Sequence, residues 1–182
     1  MDDRLTRTSK FLSYVLRHNP DELGLTLEPG GWVDVDTLIE QARARGRSLS
    51  RARLRHVIDA GEKQRFALSD DGSKIRANYG HSVEVDLNRT PTPPPDHLFH
   101  GTAEGTLPLI RADGLQPQSR QYVHLSSTRE EARAVGARHG APVVLVVAAR
   151  SLHEDEHTLY RASDGVWLTA QVPPSYLREP DE

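Results

Sequence analysis

The chain contains no cysteine. That excludes a disulfide scaffold, a thiolate zinc site and a thiol nucleophile, and it agrees with a reducing, cytoplasmic location, which is the expectation. No apolar run approaches the length of a bilayer span, and the opening MDDRLTRTSK lacks a signal peptide's apolar core. The whole chain is therefore read as mature, soluble protein. Neither G-x-x-x-x-G-K nor G-x-G-x-x-G occurs, so any nucleotide site must use another architecture. Lysine is scarce, with only Lys10, Lys63 and Lys74. What remains is 182 residues, 36% hydrophobic and 27% charged, a composition that suits one compact protein or two small lobes and excludes collagen, coiled coil and wholesale disorder.

The net charge of −3 conceals an uneven distribution. Residues 1–90 carry 15 Lys and Arg against 14 Asp and Glu, and the remainder carry 8 against 12. Within residues 43–65, Arg43, Arg45, Arg47, Arg51, Arg53, Arg55, Lys63 and Arg65 face only Asp59 and Glu62. Such a stretch fits a polyanion, although a general preference for Arg over Lys would produce the same pattern.

Asn88 to Asp96 places four prolines in five positions, which removes backbone donors and favours an extended, stiff connector. Two lobes follow, residues 1–88 and 97–182, with 89–96 between them. In the first, Leu5, Leu12, Val15 and Leu16 mark a helix over 4–17 that Asn19-Pro20 stops. A second helix after Trp32 has Val35, Leu38, Ile39 and Ala42 at i, i+3, i+4, i+7 and ends at Gly46; a third, capped by Ser50, turns Leu54, Val57 and Ile58 inward and Arg51 and Arg55 outward. Phe66 and Leu68, the turn Asp70-Asp71-Gly72, and Ile75 and Ala77 then read as a hairpin. Three helices and a two-stranded wing form the winged-helix pattern, with the Arg-bearing helix in the recognition position. The second lobe mixes short strands (98–100, 122–125, 143–149, 157–161, 166–172) with two helices, one about 104–112 and one starting at Thr128 with a capping box to Glu131. The fold class is α+β.

Single motifs carry little. Arg17-His18 sits in a helix's last turn, where cations complement the dipole anyway. Arg65 and Arg120 each precede a strand, where an exposed Arg is ordinary. Converging on one phosphate, however, three guanidiniums and an imidazole would hold it by charge-assisted hydrogen bonds. His100-Gly101-Thr102 reads as a strand end entering a loop, with the glycine admitting a ligand to the backbone, and His124-Leu125-Ser126 is similar. His153-Glu154-Asp155-Glu156-His157 matches H-E-x-x-H, but no amphipathic helix surrounds it and the following residues look strand-like, so no metal is expected.

The order of the motifs is more specific. Leu12 to Pro20 (LSYVLRHNP), Gly31-Trp32-Val33, Lys63-Gln64-Arg65-Phe66, Ile75 to Ser82 (IRANYGHS), Leu98 to Thr102 (LFHGT), Val123 to Ser126 (VHLS) and Gly165 to Thr169 (GVWLT) together resemble the RNA 2'-phosphotransferase (tRNA 2'-phosphotransferase) family over nearly the full chain. The resemblance implies a winged-helix-like RNA lobe followed by an ADP-ribosyltransferase-type lobe that binds NAD. It also implies a two-step reaction. An internal RNA 2'-phosphate attacks the nicotinamide ribose of NAD, giving 2'-phospho-ADP-ribosylated RNA; transesterification then yields 2'-OH RNA and ADP-ribose 1'',2''-cyclic phosphate.

On this resemblance the catalytic set falls on Arg17, His18, Arg65 and Arg120, and the NAD contacts on His100, Gly101, Thr102, His124, Leu125 and Ser126. Arg51, Arg55, His81 and Ser82 are further candidates for RNA or phosphate contact. Val166 stands where many ADP-ribosyltransferases keep a catalytic Glu, consistent with a nucleophile that is already anionic. Tyr79 departs from the Gln common in the family before Gly-His-Ser. The expected partners are NAD, consumed as co-substrate, and RNA carrying a 2'-phosphate, such as a tRNA; a monomer is expected, with no membrane partner. Two rivals share the sequence features: an ADP-ribosyltransferase that caps terminal phosphates of RNA or DNA, and a non-enzymatic winged-helix regulator.

Overall fold

Leu12, Val15 and Leu16 lie on one stripe of the first helix, α1 (Asp3–Arg17), and all three are fully buried in the computed structural model, which describes residues 3–61, 64–163 and 165–179. The chain divides into two compact units, Met1–Arg89 and Thr90–Glu182. In the first, α1 packs with α2 (Val35–Ala44) and α3 (Arg51–Asp59) around Leu38, Ala42, Leu54, Phe66 and Ile75. Both shorter helices start at side-chain caps. The Asp34 carboxylate accepts from Thr37 N–H at 2.7 Å, which holds that carboxyl below its usual range, and the Ser50 hydroxyl accepts from Arg53 N–H at 3.2 Å.

The expected hairpin is β2 (Phe66–Leu68) and β3 (Lys74–Ala77). Its turn is tied by the Asp71 carboxylate, which accepts from the Ser69 hydroxyl at 2.6 Å and from Ser73 N–H at 2.9 Å, and is drawn down to about 2 by these bonds. A further strand, β1 (Trp32–Asp34), pairs antiparallel with β3, so the sheet has the order β1-β3-β2. Three residues are too few for an alternation to register, which is why sequence periodicity did not reveal β1.

The second unit is built on a six-stranded antiparallel sheet, order β7-β8-β5-β4-β6-β9, formed by β4 (Leu98–Ala103), β5 (Val123–Ser126), β6 (Pro142–Val147), β7 (Leu159–Ser163), β8 (Val166–Thr169) and β9 (Leu177–Arg178). Helices α4 (Leu107–Asp113), α5 (Arg129–Gly136) and α6 (Ala149–Glu154) interrupt it. The mixture of helices and antiparallel sheets is compatible with the α+β class. The proline-rich stretch lies along this unit: Thr92 N–H donates to the Leu159 carbonyl at 2.9 Å, and Asp96 pairs with Arg150 at 2.5 Å.

Three local expectations are corrected. The strand expected over 143–149 stops at Val147, and α6 begins at Ala149, burying Leu152. A helix therefore does carry His153, but it ends at Glu154, leaving His157 beyond it; the two histidines do not share a helix face, as the zinc pattern requires. Among the described residues no group of three or more His, Asp or Glu could hold a metal ion. The last expected strand ends at Thr169, with Val172 making only an isolated bridge to Leu115.

The third correction concerns His100-Gly101-Thr102, which lies inside β4 rather than at its end. Packing by itself already demands glycine at this position. A Cβ there would stand 1.6 Å from the Ala132 carbonyl oxygen of α5, a contact no relaxation of a side chain could relieve. Gly101→Ala is accordingly expected to destabilise the second unit by at least about 3 kcal/mol in chemical denaturation, the upper end of ordinary overpacking. Gly105→Ala, whose new Cβ would meet nothing within 4 Å, should leave the midpoint unchanged.

Candidate active site

The last turn of α1 leaves carbonyls that the helix itself cannot pair. The segment following β3 supplies the partners: Ser82 N–H donates to the Arg17 carbonyl at 2.9 Å and Val83 N–H does so at 3.3 Å. This brings Ser82 beside His18, where its hydroxyl meets the imidazole Nδ1 at 2.9 Å. Gly80, at φ +89, turns the segment, and a Cβ on it would press on the Arg17 guanidinium at 3.3 Å.

Arg17 is half-buried between two rings, 5.0 Å from the centroid of Tyr79 and 5.7 Å from that of Phe66. Its Nη2 donates to the Arg65 carbonyl at 3.4 Å. The tyrosine that departs from the family's pattern is thus a wall of the Arg17 site, 9% exposed. Arg65 immediately precedes β2, and its carbonyl also accepts Asn78 N–H at 2.8 Å. His18 and Arg65 line an open groove of about 540 Å³ whose remaining wall is Thr6, Ser9, Lys10, Ser13 and Tyr14 of α1. Among the described residues, no acidic side chain lines it. Tyr14 is 43% exposed, an aromatic ring facing solvent beside Lys10, Arg65 and the three hydroxyl groups of Thr6, Ser9 and Ser13. This groove wall could have been found in sequence as the polar stripe at i, i+3, i+4, i+7, i+8 of α1, but a polar helix face is usually only a solvated one.

The first unit thus gathers Arg17, His18, Arg65 and Ser82. Lys63 of the matched motif lies outside the described residues. His81 is 2% exposed, so its ring is withdrawn from the surface where an RNA contact would form. Burial, reinforced by the cations Arg17, Arg89, His18 and Arg76, pushes its pKa down to about 4. Arg51 is engaged within the fold: its guanidinium bonds the Asp36 carboxylate (2.7 and 3.0 Å) and the Gly72 carbonyl (3.0 Å), linking α3 to α2 and the wing turn. Arg55 is exposed on the same helix.

The second unit carries Arg120, exposed in the loop before β5. It also carries the remaining candidates on the two central strands. β4 pairs with β6 over six residues but with β5 only at Phe99 and Ser126, so the sheet parts at its centre. His100 bridges the parting: its Nδ1 lies 3.0 Å from the His124 carbonyl, which can only accept, so Nδ1 carries the proton. Burial lowers the His100 pKa, favouring the neutral ring with Nε2 as an acceptor. Thr102, 8% exposed, is bonded inward to the Thr106 hydroxyl at 2.5 Å, and Thr106 donates to the Ala103 carbonyl at 2.7 Å. On β5 the alternation buries Val123 and Leu125 in the core and leaves His124 and Ser126 half-buried. Leu125 therefore contributes its side chain to packing. Val166 is buried on β8.

Comparison with known proteins now assigns the class. Residues 3–171 match the model of the "RNA 2'-phosphotransferase, Tpt1 / KptA family". Proteins carrying the description "Probable RNA 2'-phosphotransferase" are similar over nearly their whole length: one from Agrobacterium fabrum is 54% identical over 94% of this chain and 92% of its own, and one from Rhodopirellula baltica is 48% identical over 98% of both. A third, from Acaryochloris marina, is 49% identical over 98% of this chain and 99% of its own. The protein is thus a transferase of the RNA-modifying kind. It belongs to the RNA 2'-phosphotransferase family. Among the described residues, no helix is long and apolar enough to cross a membrane.

Two predictions follow from this geometry. The Tyr79 ring, rather than its hydroxyl, supports Arg17, so Tyr79→Phe should keep phosphotransferase turnover, whereas Tyr79→Leu should lower it about fivefold, the worth of one cation–π contact. Steady-state kinetics of the two variants decide it. For His81, the folded-state pKa lies below the unfolded value near 6.5, so the unfolded chain binds the extra proton first. Its contribution is complete above pH 6.5 and is lost as pH falls towards about 4, on the order of 3 kcal/mol in all. Denaturant titrations across that window should show a flatter acid limb for His81→Leu than for the unsubstituted chain.

Proposed function

We propose that the chain removes an internal 2'-phosphate from RNA with NAD consumed as co-substrate, through a 2'-phospho-ADP-ribosylated RNA and then transesterification to 2'-OH RNA and ADP-ribose 1'',2''-cyclic phosphate. The observation that carries this reading is the gathering of Arg17, His18 and Arg65 at the end of α1, with His18 and Arg65 opening on a groove whose described lining holds Lys10 and Arg65 and no carboxylate. Such a groove attracts a dianionic phosphate through its cationic side chains. The order α1-β1-α2-α3-β2-β3, with β1 and β2 flanking β3, supports a winged-helix reading of the first unit. The parted antiparallel sheet of the second supports an ADP-ribosyltransferase-type reading.

Each side chain has a role that its surroundings favour. Arg65 and Arg120 grip phosphate oxygens with guanidiniums that stay charged at any working pH. Arg17, fixed between two rings, does so with little freedom left to lose. His18, its Nδ1 beside the Ser82 hydroxyl, lines the groove and serves the phosphate or a proton transfer in the second step. The parting between β4 and β5 fits the sugar of a dinucleotide, because neutral His100 offers Nε2 as an acceptor for a ribose hydroxyl while His124 and Ser126 share one face of β5. NAD, when bound, supplies an electrophilic ribose carbon with nicotinamide as its leaving group. No general base is required of Val166, since the attacking oxygen is already anionic.

The test is incubation with NAD and a short RNA bearing one internal 2'-phosphate, with mass spectrometry of all products. The expected products are 2'-OH RNA, nicotinamide and ADP-ribose 1'',2''-cyclic phosphate. Stable ADP-ribosylated RNA would favour a phosphate-capping transferase instead, and unchanged NAD and RNA would overturn the proposal. In the same assay Arg65→Ala and Arg120→Ala should each cost at least about 100-fold in turnover or let the ADP-ribosylated intermediate accumulate. Undiminished turnover in either would refute the phosphate-gripping role. A purely regulatory winged helix is disfavoured by Arg51, whose donors are already engaged with Asp36 and Gly72.

A further inference from the structure

On the opposite flank of α1 from Ser9 and Ser13, Arg4, Arg7, Thr8 and Phe11 recur at i, i+3, i+4, i+7 and line a second groove, of about 350 Å³. Arg47, from the loop joining α2 and α3, and Arg53, from α3, complete it. Four guanidiniums from three parts of the first unit therefore converge, and among the described residues no acidic side chain lines the groove. A mere preference for Arg over Lys would scatter cations; convergence of like charges costs stability and calls for an anion.

Two of the four are already set in place. The Arg47 guanidinium lies 5.0 Å from the centroid of the Phe11 ring, and Arg53 Nη1 donates to the Ser48 carbonyl at 3.2 Å. Gly46, at φ +73, lets the loop double back after α2, and buried Leu49 anchors it. Arg7 pairs with Asp3 one turn earlier, but both side chains are about three-quarters exposed, so the pair is weak in water and yields readily to a phosphate.

We propose that this groove is a second RNA site, which holds backbone phosphates of the strand flanking the reacting nucleotide. The inference rests on the function proposed above for its choice of RNA as occupant. This groove and the one lined by His18 and Arg65 border opposite edges of the exposed face of α1, a helix about 10–12 Å across with its side chains. An RNA that ends beside its 2'-phosphate does not span that thickness; an RNA extended on both sides does. The site acts on backbone charge and is indifferent to base identity.

The experiment compares the full chain with Arg7→Gln/Arg47→Gln on two substrates, a 2'-phosphorylated dinucleotide and the same dinucleotide within a longer single strand. Fluorescence anisotropy with the longer strand lacking any 2'-phosphate, and without NAD, gives a readout independent of turnover. The ratio of kcat/KM for the long substrate to that for the short one should fall about tenfold in the double variant, and the dependence of log Kd on log salt should become shallower by about 1.4, the value for two lost contacts to a single strand. Arg47→Lys, which keeps the charge, should restore half or more of that slope. An equal loss on both substrates, or unchanged binding of the long strand, would overturn the proposal. If the unsubstituted chain turned over neither substrate while the double variant still lost salt-dependent RNA binding, the second site would stand and the proposed reaction would fall.

Discussion

The carbonyl of Arg17 is the point on which the first unit's chemistry turns. It closes α1, and the two N–H groups that satisfy it come from Ser82 and Val83, more than sixty residues along the chain. Because that pairing docks the segment after β3 on the helix end, it sets Tyr79 against Arg17 and Ser82 against His18 in one step. An ordinary requirement, that a helix's terminal carbonyls find partners, thereby doubles as the device that orients an arginine and a histidine.

The second unit uses a different constraint for the same end. Its six-stranded ladder is nearly absent between the two central strands, which pair only at Phe99 and Ser126. What would otherwise be an unpaired His124 carbonyl is taken up by the His100 ring. Close packing on the far side keeps the parting in place: α5 approaches β4 so tightly that only glycine fits at position 101, and Gly136 of α5 likewise lies against the backbone of Thr102.

How much of this was legible in the sequence depends on the range of the interaction. Helices with a repeating apolar stripe, such as α2, or with a side-chain cap as well, such as α3 with Ser50, were plain because the signals are local. β1 and the boundary between β6 and α6 were not, since three-residue strands and a continuous apolar run carry no distinguishing period. Among candidate site residues, the ordered motifs located Arg17, His18 and Arg65, but not their mutual support. Arg51 looked like a free cation because its partner Asp36 lies fifteen residues away on another helix, and His81 looked exposed because burial at a turn leaves no trace in a tripeptide. The packing demand on Gly101 was not legible, because the neighbour that imposes it belongs to a helix thirty residues on.

α1 presents three faces at once: an apolar stripe to the core, a hydroxyl-rich stripe beside His18, and an arginine stripe on the other flank. Adding or removing one residue within such a helix rotates everything beyond it by about 100°. No shift of a single position between Lys10 and Arg17 could therefore preserve more than part of this arrangement. The length of those two turns of helix is as fixed a property of the protein as the identity of any side chain on them.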